Sequence, residues 1–226
     1  MSPTQINVKV CFVMDCTASM EPWIRQAKTR MVELTDQVRK EHPAATLEVS
    51  FVGYRDYGDE ERVIHFPFRT PQETMAAIQD VEAYGGDDVT EDVVTGLQTA
   101  LYQEWDGADV KIVFHIADAP AHGLMFHDLS ISDKYPRGDP NGLDPRDFVE
   151  KMSFLDIHYT FVRIESSTDT MIEHFHNCYT KGGSFSVVDL TAQRGQTGGD
   201  PTALSATLTE SITRHITQHY TSSLAP

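Results

Sequence analysis

The chain has 226 residues, with 34 Asp+Glu against 18 Lys+Arg and a formal net charge of -16. That balance disfavours nucleic-acid backbones and anionic membranes, which need cationic surfaces, and points instead to metal cations or basic partner surfaces. The length suits one α/β domain with a full core, the three cysteines cannot all pair, and no apolar run approaches the roughly 20 residues of a membrane span.

Ile6 to Met14 is nearly continuously apolar, as in a central parallel strand covered on both faces. It ends in Asp15-x-Thr17-x-Ser19, a carboxylate and two hydroxyls at alternate positions, and a helix follows with Met20, Trp23, Ile24, Ala27, Met31, Leu34 and Val38 at three- and four-residue spacing. Leu47 to Val52 reads as a second strand ending at Gly53-Tyr54. Val63 to Phe66 reads as a short antiparallel edge strand, joined to it through Asp56-Tyr57-Gly58-Asp59.

Pro71 to Ala83 and Glu91 to Trp105 read as helices, separated by Gly85-Gly86. Val110 to Ile116 is another buried strand running toward a carboxylate, Asp118, and a long loop rich in Pro, Gly and Asp spans 119–146. Loops of that length are usually functional or disordered. Asp147 to Leu155 is expected to be helical, Ile157 to Ile164 a strand, Thr170 to Cys178 a helix and Phe185 to Val188 a strand. Gln193 to Asp200 reads as loop, and a last helix carries Leu204, Leu208, Ile212, Ile216 and Tyr220.

Alternating strands and helices imply a three-layer, doubly wound, mostly parallel sheet with right-handed crossovers and one antiparallel edge strand. In the strand order 3-2-1-4-5-6 the first and fourth strands are neighbours, and the crevice past their carboxyl ends is where ligands bind. Asp15 and Asp118 would meet there. With Thr17 and Ser19 they offer only oxygen, which selects Mg²⁺, Mn²⁺ or Ca²⁺ over zinc. Between them in sequence lies Gly85-Gly86-Asp87-Asp88-Val89-Thr90-Glu91-Asp92; Asp88 could supply a ligand or merely cap the next helix, whose dipole would also favour Glu91.

Asp15-x-Thr17-x-Ser19, the Gly85-to-Asp92 loop and Asp118 together resemble the metal-ion-dependent adhesion site of von Willebrand factor type A domains, and the element order is similar to that family over essentially the whole chain, 1–226. Phe114 to Gly123 and Tyr135 to Pro145 resemble the subgroup attached to alpha-kinases, and the glycine loop followed by Glu91 also resembles integrin beta-subunit domains. The resemblance implies a Rossmann-like fold with metal-site loops near 15–21, 85–92 and 118–123. It implies Mg²⁺, or Mn²⁺ or Ca²⁺, held by Thr17 and Ser19, with Asp15 and Asp118 direct or through water. Asp88, Thr90 and Glu91 come from the middle loop, with Thr90 and Glu91 as alternative direct ligands. One coordination position is left for a carboxylate from a protein partner, and Met20, Glu21, Tyr54, Asp56 and His122 are the residues expected to meet that partner. Only Glu21 is acidic just after the first motif, so no second adjacent metal is expected.

Other features read more plainly. Arg137-Gly138-Asp139 lies in ordinary turn composition, and Asp139, Asn141 and Asp144 lack the ligand series of a calcium loop. His115, His122 and His127 form no metal-spaced pair with a cysteine, and Cys16 sits among negative neighbours that disfavour a thiolate. The expectation is therefore a binding module without catalysis. A regulatory or recruiting subunit of a kinase-containing or other signalling complex is the alternative, and a metal-dependent phosphotransfer enzyme a weaker one, because position 17 is Thr where an acid/base Asp would stand. No nucleotide-binding glycine loop follows the first strand. With no signal-like segment before Ile6, a reducing, cytoplasmic location is expected.

Overall fold

A computed structural model describes residues 5–191 and 201–223. Six strands form one sheet: β1 (Ile6–Asp15), β2 (Ala45–Tyr54), β3 (Val63–Arg69), β4 (Val110–Ala117), β5 (His158–Arg163) and β6 (Phe185–Asp189). Their order is β3-β2-β1-β4-β5-β6, parallel throughout except for the β2–β3 pair. The expected doubly wound sheet with its antiparallel edge is therefore the observed one.

β1 runs in unbroken register between β2 and β4, with Val8 facing both Leu47 and Val110. Its side chains alternate across the sheet. Val8, Val10, Phe12 and Met14 enter a core with Trp23 and Ile24 of α1 (Glu21–Glu41) and with Leu208, Ile212 and Ile216 of α6 (Leu204–Ser223). Cys11 and Val13 enter the opposite core, with Leu97 of α3 (Val93–Leu101), Val149 of α4 (Pro145–Phe154) and Phe175 of α5 (Asp169–Cys178). Because helices cover both faces, β1 and β4 are apolar on both, which is why they read as continuous hydrophobic runs.

The boundaries of α2 and α3 differ from the sequence expectation, and β3 runs on to Arg69. α2 is Pro71–Ala77, opened by a Thr70/Glu73 capping box and closed by a 3-10 turn at Ile78–Asp80, rather than reaching Ala83. α3 starts at Val93 because Glu91 is drawn into a bridge with Ala121, its N–H donating to Pro120 O at 3.0 Å. The cap of α3 is Asp92, which accepts from Thr95 N at 3.0 Å, so neither Asp88 nor Glu91 plays that part. At its other end the chain leaves the helix after Leu101, and the Trp105 indole turns back to donate to Ala100 O at 3.0 Å. The side chains of Met31 and Leu34 and the loop at 193–200 lie outside the described residues.

Candidate metal centre

β1 delivers Asp15 to the carboxyl edge of the sheet beside Tyr54 of β2, and β4 ends one residue before Asp118. The chain then turns tightly. Thr17 donates to one Asp15 oxygen twice, from its N–H at 2.8 Å and its hydroxyl at 2.7 Å, while Ser19 acts to lower the pKa of Asp118 against the effect of burial. The third loop closes over these two: Tyr84 N donates to Cys16 O at 3.1 Å and Ala18 N to Gly85 O at 3.4 Å. Gly86 makes this closure possible. Its φ is +78°, and a Cβ there would sit 2.8 Å from Glu91 Oε1 and 3.1 Å from Thr17 Cβ, so a larger residue would be strained in its backbone and would crowd the seam.

The result is a cleft of about 270 Å³ lined by Thr17, Ser19, Gly86, Asp88, Glu91 and Asp118, with Asp15 buried beneath it. One oxygen each of Asp15, Asp88, Glu91 and Asp118 is buried without a hydrogen-bond partner. Burial, joined by the charge of Asp118, raises the pKa of Asp15; burial also raises Asp118, and burial with the charges of Asp15, Asp56, Asp59 and Asp118 raises Glu91. Buried carboxylates normally find partners, and mutual repulsion at this density is costly. A hard divalent cation relieves both defects, and the all-oxygen donor set fits Mg²⁺, Mn²⁺ or Ca²⁺.

Of the two alternatives in the middle loop, Glu91 lines the cleft whereas Thr90 turns away, its hydroxyl 2.7 Å from His122 Nδ1. His122 stands at the centre of a second cluster. Asp88, His122 and Asp133 place ligand-type atoms within 4.8 Å of one another. However, Nε2 of His122 lies 2.6 Å from Asp56 Oδ1 and Nδ1 lies 2.8 Å from Asp133 Oδ1. Burial opposes the charged ring, but the bonds to Asp56 and Asp133 outweigh it and raise the pKa. Both ring nitrogens of His122 are already engaged by carboxylate oxygens, so neither is open to a metal in this arrangement, and the cluster serves as a brace.

Five residues were expected to meet a partner, and the structure separates them. Glu21 is exposed, whereas Met20, Tyr54, Asp56 and His122 are buried. Met20 packs in the α1-side core, the Tyr54 hydroxyl lies 2.8 Å from His115 Nε2, and Asp56 and His122 hold each other. Their surroundings give them packing and bracing roles instead of contact roles. His115 is equally internal, its other nitrogen 2.6 Å from the Tyr159 hydroxyl, and burial lowers its pKa to about 3, so it is neutral. Asp139 accepts from Asn141 N, Leu143 N and the Tyr57 hydroxyl, a turn role, and Asp144 caps α4.

Sequence reasoning missed three residues that build this site. Arg55, buried at the end of β2, donates to Cys16 O at 3.2 Å, Glu61 O at 2.7 Å and Glu82 O at 2.8 Å, tying three loops together. Asp59 accepts from Gly86 N at 3.1 Å and Asp56 N at 3.0 Å. Asp133 organises the long loop. A buried-strand end followed by an arginine was the available signal for Arg55, but loop residues such as Asp133 carry no periodicity.

The fold and the cleft define a class: a doubly wound α/β domain with an oxygen-lined cleft at its topological switch point. The chain belongs to the von Willebrand factor A domain family, whose sequence profile matches residues 9–129. It is similar to the alpha-protein kinase vwkA of Dictyostelium discoideum, 36% identical over 171 residues, which cover 74% of this chain and 27% of that protein. The chain thus spans about a quarter of the length of that relative. In fold it is similar to the pilus adhesin SpaC of Lactobacillus rhamnosus GG, with TM-score 0.56 at 11% identity over 95% of this chain and 30% of that one. It is also similar to the SpRpn10 VWA domain, TM-score 0.51 at 9% identity over 84% and 90%, and to proximal thread matrix protein 1 of the mussel byssus, TM-score 0.58 at 12% identity over 92% and 46%.

Proposed function

We propose that residues 1–226 form one von Willebrand factor A domain that recognises a protein partner through a divalent cation and performs no chemistry of its own. In this reading Asp15, Thr17, Ser19, Glu91 and Asp118 hold Mg²⁺, or Mn²⁺ or Ca²⁺, with Asp88 at the rim. Thr90 supports the loop through His122. The partner supplies an acidic side chain to the remaining coordination position, since Mg²⁺ keeps exchangeable waters and takes carboxylates readily. The observation that carries the reading is the set of four buried, unpartnered carboxylate oxygens contributed by Asp15, Asp88, Glu91 and Asp118.

The similarity to an alpha-protein kinase favours a second element, regulation or recruitment of a kinase-containing complex; a cytoplasmic setting is part of the same proposal. Among the described residues no helix is long and apolar enough to cross a membrane. A metal-dependent phosphotransfer enzyme is the less favoured reading, since Thr17 binds the Asp15 carboxylate and leaves no acid/base at that position. Capture of partners from a host lysate with Mg²⁺ or with chelator, using Asp15→Ala as the control, tests the proposal. Chelator-sensitive capture lost in Asp15→Ala supports it; partners held equally under all conditions, or phosphate release from test substrates, would overturn it.

A further inference from the structure

The loop 119–146 has no regular structure before α4, yet one side chain fixes its shape. Asp133 Oδ2 accepts from Gly123 N at 2.8 Å and lies 3.0 Å from His127 Nε2. Its Oδ1 accepts from Tyr135 N at 2.8 Å and Thr90 Oγ1 at 3.2 Å, and lies 2.8 Å from His122 Nδ1. Both oxygens are thus ringed by donors from the loop's two arms and from the middle metal loop. These bonds, chiefly those to His122 and Gly123, hold the Asp133 pKa down to about 2 against the effect of burial, so it is a carboxylate at neutral pH.

The next residue carries the consequence. Lys134 N–H donates to Asp88 Oδ2 at 2.6 Å, which occupies one oxygen of Asp88 and leaves Oδ1 buried and without a partner. Tyr135 stacks edge-on against His122 and Tyr57, at 4.9 and 5.1 Å between centroids, which secures the same stretch from its other side. We infer that Asp133 is a positioning residue for the cation cleft: it folds the long loop so that the Lys134 amide fixes the carboxylate of Asp88. This rests on the reading of the cleft as a cation site. Groups that orient metal ligands from outside typically change metal affinity about 10- to 100-fold when removed.

Asp133→Asn places an amide NH₂ against donors in either orientation, so the gathering fails while shape and volume are kept. In calorimetric titration with Mn²⁺ alone, the variant is expected to bind at least about tenfold more weakly than the wild type. Arg137→Ala, an exposed change in the same loop, is expected to bind as the wild type does. Hydrogen exchange in chelator should quicken at Gly123 and Tyr135. The decisive readout is the pair with Asp88→Asn: if Asp133 acts through Asp88, the double variant binds Mn²⁺ as weakly as Asp88→Asn alone, whereas a general loss of structure adds further weakening. Should Asp133→Asn not fold, His127→Leu removes one donor and is expected to weaken Mn²⁺ binding several-fold, again not additively with Asp88→Asn. Wild-type binding with no loss in these variants, or fully additive losses, overturns the inference and spares the cation site. No Mn²⁺ binding by the wild type overturns both.

Discussion

Glu91→Gln should stabilise the metal-free protein and abolish its response to metal. Glu91 is 3% exposed, its Oε2 has no partner, and burial together with Asp15, Asp56, Asp59 and Asp118 raises its pKa. The folded-state pKa lies above the unfolded value, so the folded chain prefers the protonated acid. The penalty for ionising it is absent below the unfolded pKa and grows as pH rises toward the folded one. Leaving such a group buried and unpaired costs about 1–3 kcal/mol. For a chain of this size that is roughly 2–12 °C in melting temperature. Thermal unfolding in chelator at pH 8 should therefore show Glu91→Gln melting higher than the wild type, with the gap closing near pH 4.5. With saturating Mn²⁺ the order should reverse, because ligand at about 1,000 times its Kd contributes about 4.1 kcal/mol to the wild type, a gain the variant forfeits with its ligand. A variant that melts lower in chelator at pH 8, or keeps the full Mn²⁺ shift, would refute the reasoning.

Gly86→Ala incurs about 1–2 kcal/mol for the left-handed backbone and about 1–3 kcal/mol for crowding Glu91 and Thr17, and should also weaken Mn²⁺ binding. Gly58→Ala, with φ +96° and nothing within 4 Å, should lose only the first amount, as denaturant titration of both will reveal. Arg55→Met removes three bonds to backbone carbonyls, one buried and two part-buried, and should destabilise by about 3 kcal/mol, lowering the denaturant midpoint with or without metal. The rings of His158 and His215 stack at 3.9 Å where α6 meets β5, and burial, helped by His158 and Arg214, lowers His215 to about 4. Its folded pKa is depressed, so its contribution is full above about pH 6.5 and is lost as pH falls toward 4, amounting to about 2 kcal/mol by pH 5 at 1.36 kcal/mol per pKa unit. His215→Leu should remove that part of the wild type's acid sensitivity between pH 7 and 5 in chelator; identical slopes would contradict it.

What could be read from the sequence was what repetition and burial impose. β1 and β4 are covered on both faces, so their apolar runs marked them, and the acidic residues at their ends fell on the switch point because strand order follows from the alternation of elements. The start of α3 was hidden because Glu91 satisfies its N–H across the fold, with Pro120, and not along its own helix. Tyr54, Asp56 and His122 looked like surface recognition groups for a similar reason. Polar residues at strand ends are usually solvated, and only tertiary pairing, of Tyr54 with His115 and of Asp56 with His122, takes them inside. Asp133 was illegible because its donors come from positions 90, 122, 123, 127 and 135, brought together by a loop with no period of its own.

The central claim is that this cleft holds a divalent cation on buried carboxylates from three loops. Titration of Mn²⁺ into the wild-type chain at pH 7.5, followed by the resonance signal of the free ion, tests it most directly. The account predicts one saturable site per chain, displaced by Mg²⁺ and absent from Asp15→Ala. A free-ion signal that rises without saturation in the wild type, or equal uptake by Asp15→Ala, would contradict it.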